Sequence, residues 1–392
     1  MNFEVTSVQK ELRALARKFV EKELIPILEE DEKAERFRPE LIEKLGELGL
    51  TSIPLAEAYG GSGLGYLEYV VALEELAGGN MGYAISVSVT GLTQLILAEF
   101  GNEEQQKKYI PPLAQGKAIG AFSLSEAFSG SDAASLRTVA KKYSGKPGSS
   151  QPGDHYILNG TKLWCTQGDI AETLIVMART GGPGPAGISA FIVEKGTPGF
   201  TLGKREKKMG IRTSHTMELV FQDMMIPAAN LLSKEGDGFK IAMSALDSGR
   251  ITIGAGAVGI AQSALRVAVN HAREREQFGK PISSFQGVSF LLADMATQLD
   301  AARFLVYRAA WLRDRQLPYR QEAAMAKLFA TDMAMRVTTD AVQILGGSGY
   351  TEDFPVERYM REAKVLQIVE GTNQIQRMII GRNLTESSSL WQ

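Results

Sequence analysis

The feature that most constrains this chain is a double change in its apolar period. From Val5 to about Ala118, apolar side chains recur every three or four residues, as in Leu12, Leu15 and Phe19 and again in Leu41, Leu45 and Leu48, with breaks at Pro26, Pro54 and the GGSGLG run. That is a helical pattern. From about Ile119 it gives way to short runs rich in β-branched residues, HYILNG, TLIVMA, ISAFIVEKG and TMELVF, separated by Gly and Pro clusters, with the last strand ending near Pro227. From Gly238 the helical period returns, over residues 239 to 274, 284 to 315, 320 to 345 and 373 to 384. The order predicts an α+β chain: an N-terminal helical domain over residues 1–118, a middle β domain over 119–234 and a C-terminal helical bundle over 235–392. The polar insert KKYSGKPGSSQPGDH reads as a surface loop between strands. No period of 20 to 50 residues repeats, so a solenoid is not expected. Clefts between unlike domains are common cofactor sites.

With 392 residues and 44% hydrophobic side chains, the chain can bury a large core in two or three domains. Its formal net charge of -2 is spread without long like-charge blocks, which argues against a nucleic-acid surface. The single cysteine, Cys165, cannot form an internal disulfide, and the 3 histidines are scattered without zinc-ligand spacing, so a reducing, cytoplasmic setting and a metal-free site are expected. The N-terminus mixes both signs of charge and reads as mature protein, without the apolar core of a signal peptide. The longest uncharged helical stretch, Ile251 to Leu265, is too short for a membrane span and full of Gly and Ala. It should be a core helix with close neighbours.

Five stretches carry candidate chemistry, and each alone has a plain structural alternative. AFSLSEAFSGSDAASL, residues 121 to 136, gathers hydroxyls around a bare backbone that suit a pyrophosphate or flavin edge, yet such stretches are mostly turns. In NGTKLWCTQG, Trp164 and Thr166 alternate with Cys165 and so share one face of a strand, where the indole covers either a ring system or the core. HAREREQFGKPISSFQ ends a charged helix abruptly at QFGKPI, beside Arg275. QILGGSGY places three glycines between helical patterns, either as a turn or as a backbone open to a bulky ligand. In LDSGRI, Asp247 and Arg250 are one helical turn apart and can pair with each other. A sixth stretch, QIVEGTNQIQ, sets a carboxylate, Glu370, among apolar and amide side chains, where it needs a partner or a task.

In this order, SGSD, W-x-T, R-x-x-FG-x-P, QILGG-x-GY and EGT-x-x-IQR resemble the acyl-CoA dehydrogenase family, in particular its short-chain, butyryl-CoA-type branch, and the resemblance covers nearly the whole chain. It implies an FAD-dependent enzyme that oxidises a short- to medium-chain acyl-CoA to the 2-enoyl-CoA and passes electrons to an electron-transfer flavoprotein. Phe122, Leu124, Ser125 and Ser131 would face flavin and substrate, with Ser131 toward the coenzyme A phosphates. Trp164, Cys165 and Thr166 would cover the flavin. Arg275, Phe278, Gln286 and the run Gln343, Ile344, Leu345, Gly346 and Gly347 would hold the FAD of a neighbouring subunit, which implies a homotetramer. Asp247, Ser248, Gly249 and Arg250 would bind the acyl-CoA, and Thr372, Asn373 and Gln374 the flavin. Glu370 would be the base that takes the α-proton, with its backbone turn at Gly371 holding the thioester oxygen.

The chain departs from that pattern in places. Phe128 stands where the family tends to be small, and Val369 replaces a common Tyr before the base. In the isovaleryl branch the base sits at the place of Gly249, which here cannot serve. The helix GYAISVSVTGLTQLI lacks the cation that a dicarboxylate substrate needs, and Ala84, Ser86, Ser88 and Gly91 leave it without an obvious block to short, branched or medium chains. An oxygen-using oxidase or monooxygenase on the same fold is the alternative.

Overall fold

The computed structural model describes residues 4–145 and 153–386. Six α-helices come first: α1 (Ser7–Phe19), α2 (Leu28–Ala34), α3 (Glu40–Glu47), α4 (Tyr66–Gly79), α5 (Met81–Phe100) and α6 (Glu103–Ala114). Helix α1 opens with a capping box, the Thr6 hydroxyl accepting from Gln9 N at 3.2 Å and the Gln9 side chain accepting from Thr6 N at 3.1 Å. The expected break at Pro26 is softer than a break. A π-turn over Val20–Leu24 and a 3-10 turn over Ile25–Ile27 absorb the missing proline N–H before α2 begins.

The middle of the chain supplies β1 (Gly120–Ser123), β2 (Val139–Gly145), β3 (Gly153–Thr166), β4 (Thr173–Arg179), β5 (Ile188–Glu194), β6 (Phe200–Arg205), β7 (Thr216–Pro227) and β8 (Leu231–Leu232). They form one sheet in the order β6-β7-β3-β2-β4-β5-β8, with β1 pairing parallel to β4. Two sequence expectations are corrected here. The strands do not end near Pro227, because Leu231–Leu232 adds a short antiparallel edge to β5. The polar insert is also not all loop: Lys141↔Ile157 through Gly145↔Gly153 pair as a hairpin, and the remainder, 146 to 152, lies outside the described residues. Ladder hydrogen bonds, with Ala140 and Tyr156 turned into the core, outweigh the polar composition there.

The C-terminal bundle contains α7 (Gly238–Glu274), α8 (Gln286–Asp314), α9 (Arg320–Leu345), α10 (Val356–Leu366) and α11 (Asn373–Glu386), with a tiny hairpin, β9 (Glu276–Gln277) and β10 (Lys280–Pro281), between α7 and α8. Helix α10 was not anticipated. Its buried side includes Val356, Arg358, Tyr359, Glu362, Ala363 and Leu366, so charges interrupt the apolar stripe that would have signalled it. Arg358 and Glu362 bond to each other at 3.2 Å within that helix.

The Gly/Ala stretch of α7 is the hub, as its small residues imply. A Cβ on Gly259 would lie 2.1 Å from the Glu74 carbonyl oxygen of α4, and one on Gly256 would lie 2.6 Å from Met81 Cε. The obstacle at Gly259 is backbone, which cannot rotate aside. Gly259→Ala should therefore cost about 1–3 kcal/mol through forced separation of α4 and α7, read as a lowered urea midpoint. A midpoint equal to wild type would mean the two helices are free to separate. Helices α5 and α7 are long and apolar enough to cross a bilayer, yet both are mostly buried inside this molecule.

Candidate active site

The turn between α10 and α11 carries Glu370. Ile368 N and Val369 N both donate back to Val365 O, at 2.8 and 3.0 Å, and Asn373 N donates to Gln367 O at 3.0 Å, which closes the turn. Glu370 and Gly371 both take left-handed backbone conformations, φ 54° and 83°. For Gly371 this is inexpensive, whereas at Glu370 a side chain is held in a sparsely populated region that only surrounding contacts sustain. The Gln376 side-chain amide donates to Glu370 O at 3.2 Å and to Gly371 O at 2.8 Å.

The residue is half-buried, but its carboxylate is not at the surface. Oε2 is shut away from solvent and meets no hydrogen-bond partner. Loss of solvation raises the pKa of Glu370 to about 7, against the opposing pull of Arg250 and then Lys327. Burial therefore prevails over the acidifying neighbours. A Cβ on Gly249 would sit 2.6 Å from Oε2, so the bare backbone of α7 is what leaves room for this carboxylate.

The neighbouring predicted residues divide cleanly. Arg250 is buried and pairs with Asp247 through Nη1, while its Nε has no partner. Burial lowers the pKa of Arg250 and raises that of Asp247, each in spite of the other. Ser248 is also buried, its hydroxyl near Tyr319 OH (3.2 Å) and Arg313 Nε (3.0 Å). On the β domain, Leu163 N donates to Ser125 O at 2.9 Å, bringing the hydroxyl-rich loop against β3. Trp164 is 59% exposed and Thr166 is partly exposed, whereas Cys165 is buried between them, so the expected alternation holds. The Cys165 thiol faces the Phe122 carbonyl at 3.8 Å, with its pKa pushed up to about 12 by burial. Cys165 can thus offer a ligand only its backbone. Leu124, Ile344 and Leu345 are buried in the same sense, and Phe122 is partly buried, while Ser131, Gln343, Gly346, Gly347 and Gln374 are exposed and Thr372 is partly exposed. Phe128 is exposed with Arg137 over its ring at 5.1 Å, so it occupies the surface rather than a pocket.

Helix α5 links the two halves. The Gln167 side chain, next to Thr166, donates to Ser86 Oγ at 2.6 Å, and Ser88 Oγ lies 2.6 Å from Thr252 Oγ1, one turn beyond Gly249. Of the four α5 residues that left this helix without an obvious block in sequence, Ala84, Ser86 and Gly91 are buried by protein. Ser86 holds Gln167, and the space above Gly91 is taken by Tyr69 OH, 2.7 Å from where a Cβ would lie. Only Ser88 is partly open.

Arg275, Phe278 and Gln286 lie elsewhere. They follow the end of α7, roughly 39 Å from Gly249 at a rise of 1.5 Å per residue, together with the exposed end of α9; His271 on α7 meets Phe354 at 5.9 Å. The β9–β10 hairpin explains the abrupt QFGKPI stop. Phe278 and Gly279 are its two central residues, both left-handed, and Phe278 is 93% exposed. Glycines 346 and 347 have nothing within 4 Å of a built Cβ. The two groups of candidate residues therefore lie roughly 39 Å apart along α7, counted from Gly249 to Arg275 at 1.5 Å per residue.

Sequence reasoning missed two buried lysines. Lys162 donates to Leu124 O at 3.0 Å and to Glu126 Oε1 at 2.7 Å, and Glu126 also accepts from Arg137 N (2.6 Å) and Thr138 N (2.9 Å). This pair ties the hydroxyl-rich loop to β3. Burial lowers Lys162 to about 8 although Glu126 pulls the other way, and the carboxylate of Glu126 is lowered because Lys162 and its hydrogen bonds outweigh its own burial. Strand parity alone would put Lys162 on the face of Trp164. The register shift between Lys162 and Cys165 turns it inward instead. The other is Lys327, beneath the Glu370 turn. A separate open cleft of about 570 Å³ is lined by Ala134–Arg137, Arg179 and Gly181–Gly184, and none of the residues around Glu370 lines it.

A helical layer, a β layer and a helical bundle, with a buried carboxylate on a turn and an exposed Trp–Thr face, define a three-domain dehydrogenase of the flavin-binding type. Residues 6–117, 121–224 and 236–385 match, in order, the N-terminal, middle and C-terminal domains of acyl-CoA dehydrogenase. The chain belongs to the acyl-CoA dehydrogenase family; it is an oxidoreductase that acts on acyl-CoA and binds FAD. It is 51% identical over 383 residues to an acyl-CoA dehydrogenase of Bacillus subtilis (strain 168), covering 97% of this chain and 98% of that one. Its fold matches that of butyryl-CoA dehydrogenase from Megasphaera elsdenii with a TM-score of 0.94 at 48% identity, over 98% of this chain and 100% of the other. A chain in a structure described as the electron transferring flavoprotein of Acidaminococcus fermentans, studied for flavin-based electron bifurcation, matches with a TM-score of 0.95 at 50% identity, over 99% and 100%.

The chain's own features fit FAD. An exposed indole beside a partly open hydroxyl offers a face for the ring system, and the exposed Arg275 with the open Gly346–Gly347 backbone offers charge and room for the pyrophosphate end.

Proposed function

We propose that Glu370 is the base in the α,β-dehydrogenation of a short-chain acyl-CoA. The observation that carries this reading is a buried carboxylate oxygen without a partner, on a left-handed turn, with a pKa near neutrality. A general base works best when its pKa lies near the working pH. FAD, when bound, would supply the acceptor for the β-hydrogen and its electron pair. Glu370 takes the α-proton, and the C–H electrons left at the α-carbon form the new double bond. Both hydrogens are thereby accounted for. The N–H of the Glu370 turn holds the thioester oxygen as it gains charge, and Arg250 adds positive potential from below. Trp164 and Thr166 would cover the ring system, and Ser131, exposed on the hydroxyl-rich loop, would face the coenzyme A phosphates.

The substrate range follows from α5. Tyr69 fills the space over Gly91, and Ser88 and Thr252 close on each other at 2.6 Å, so this face of α5 is occupied by the protein's own side chains. Relatives described as short-chain specific, at 46% and 48% identity, favour the same reading. The chain lengths that remain are short, which is narrower than the sequence alone implied. Butyryl-CoA should bleach the flavin anaerobically faster than octanoyl-CoA; an octanoyl preference would contradict the short-chain reading.

The separation of the two groups implies that FAD is shared between subunits of a homo-oligomer, a tetramer in our reading, with Arg275, Phe278, Gln286 and Gln343–Gly347 reaching the neighbour's cofactor. Support comes from exposed apolar side chains of the C-terminal bundle, Phe278 in the β9–β10 hairpin and Phe290, Trp311, Phe329 and Met378 on its helices. The electron acceptor that fits this reading is an electron-transfer flavoprotein.

A further inference from the structure

One face of α9 is stapled to the base-bearing turn. Lys327 is 0% exposed, and its Nζ donates to Gly371 O at 3.0 Å and to Asn373 Oδ1 at 2.8 Å. Four and five residues on, Thr331 and Asp332 accept from Asn373 Nδ2 at 2.9 and 2.7 Å. Asp332 accepts in addition from Gln367 Nε2 at 2.7 Å and Arg377 Nη2 at 2.9 Å. Residues on both sides of Glu370 are thus fastened to a single helix.

We propose that Lys327 is a positioning residue for the reaction: it fixes the Glu370–Asn373 turn from beneath and adds its positive charge there, so that Glu370 stays aimed once substrate has expelled water. This rests on the reading of Glu370 as the base. Nothing about the fold requires a lysine here, since burying an ammonium is unfavourable and an apolar side chain would fill the same space at lower cost. The turn, however, requires two carbonyl and amide acceptors to be held while Glu370 stays at a positive φ that an L-residue avoids. A three-donor cation on a long stem does both.

The charged and titratable groups around the pair are few. Glu370 faces Arg250 of α7 and Lys327 of α9, and its charge is felt by Tyr66 of α4; Lys327 faces Glu370, Asp332 and Arg250. Burial lowers Lys327 to about 7 against the pull of Glu370. The two groups titrate in one range, so the pH profile reports them as a coupled pair.

The test is the pH dependence of anaerobic flavin reduction by butyryl-CoA in the holoenzyme, for wild type, Lys327→Met, Lys327→Arg and Glu370→Gln. Losing the positive charge should raise the kinetic pKa of the base, and a guanidinium that stays charged throughout should lower it, giving the order Met above Lys above Arg. The plateau rate of Lys327→Met should also fall, by up to about 100-fold if the turn shifts by an ångström, with butyryl-CoA affinity little changed. A wild-type profile in Lys327→Met, with Glu370→Gln inactive, overturns the role of Lys327 and leaves the base in place. Should Lys327→Met fail to fold, an unshifted profile in Lys327→Arg overturns it equally. If Glu370→Gln itself reduces flavin at the wild-type rate, the base reading is what fails.

Discussion

Glu370→Gln should abolish most flavin reduction by acyl-CoA while leaving the protein folded, yellow and able to bind substrate. The amide keeps the size of the carboxylate but cannot accept the α-proton, and a positioned general base contributes roughly 100- to 10,000-fold. The rate should drop by at least that factor in anaerobic stopped-flow bleaching. Wild-type reduction should rise with pH through about 7, where the coupled Glu370–Lys327 pair titrates, and this limb should vanish in the mutant. Stability should move with the opposite sign. The pKa of Glu370 in the folded state, about 7, lies above its ordinary value of 4.5, so its stabilising contribution is complete below about pH 4.5 and is lost as pH rises to about 7. Glu370→Gln should therefore gain in Tm relative to wild type as pH is raised across that window. A mutant that bleaches at a near wild-type rate would make this carboxylate structural and send the search for the base elsewhere.

Arg275→Ala should release FAD and weaken subunit association together. Within its own chain Arg275 is exposed, and the length of α7 holds it roughly 39 Å from Gly249 at 1.5 Å per residue. It cannot serve the site that its own Glu370 occupies. Removing a hydrogen bond to a charged group costs about 1.5–3 kcal/mol, a loss of about 10- to 150-fold in FAD affinity. Equilibrium dialysis of FAD and sedimentation velocity on the same preparation check both halves. Unchanged FAD retention would return Arg275 to the solvated helix end.

The order helix, strand, helix was legible in sequence because apolar period depends on local geometry, and local geometry is what side-chain spacing records. The unusual setting of Glu370 was legible too, since a carboxylate among apolar and amide neighbours needs a partner or a task when buried, whereas the role of base came from the family resemblance. Helix α10 was not, since Arg358 and Glu362 break its stripe, and only their mutual pairing lets them be buried. Lys327 left a trace, one cation on the face shared by Ala323, Ala326, Ala330 and Ala334, but the acceptors that explain it, Gly371 and Asn373, lie over forty residues away in the chain.

By itself, then, the sequence determined the domain order, the hub role of the Gly/Ala helix and the residue types that can hold a flavin and move a proton. The tertiary structure alone decided three matters: that Tyr69 closes the space over Gly91, that a register shift in β3 turns Lys162 inward, and that the two sets of predicted flavin residues lie far apart along α7. Each depends on distances between segments far apart in the chain. Periodicity carries no record of such distances, because it reports which face of an element is covered and not by what.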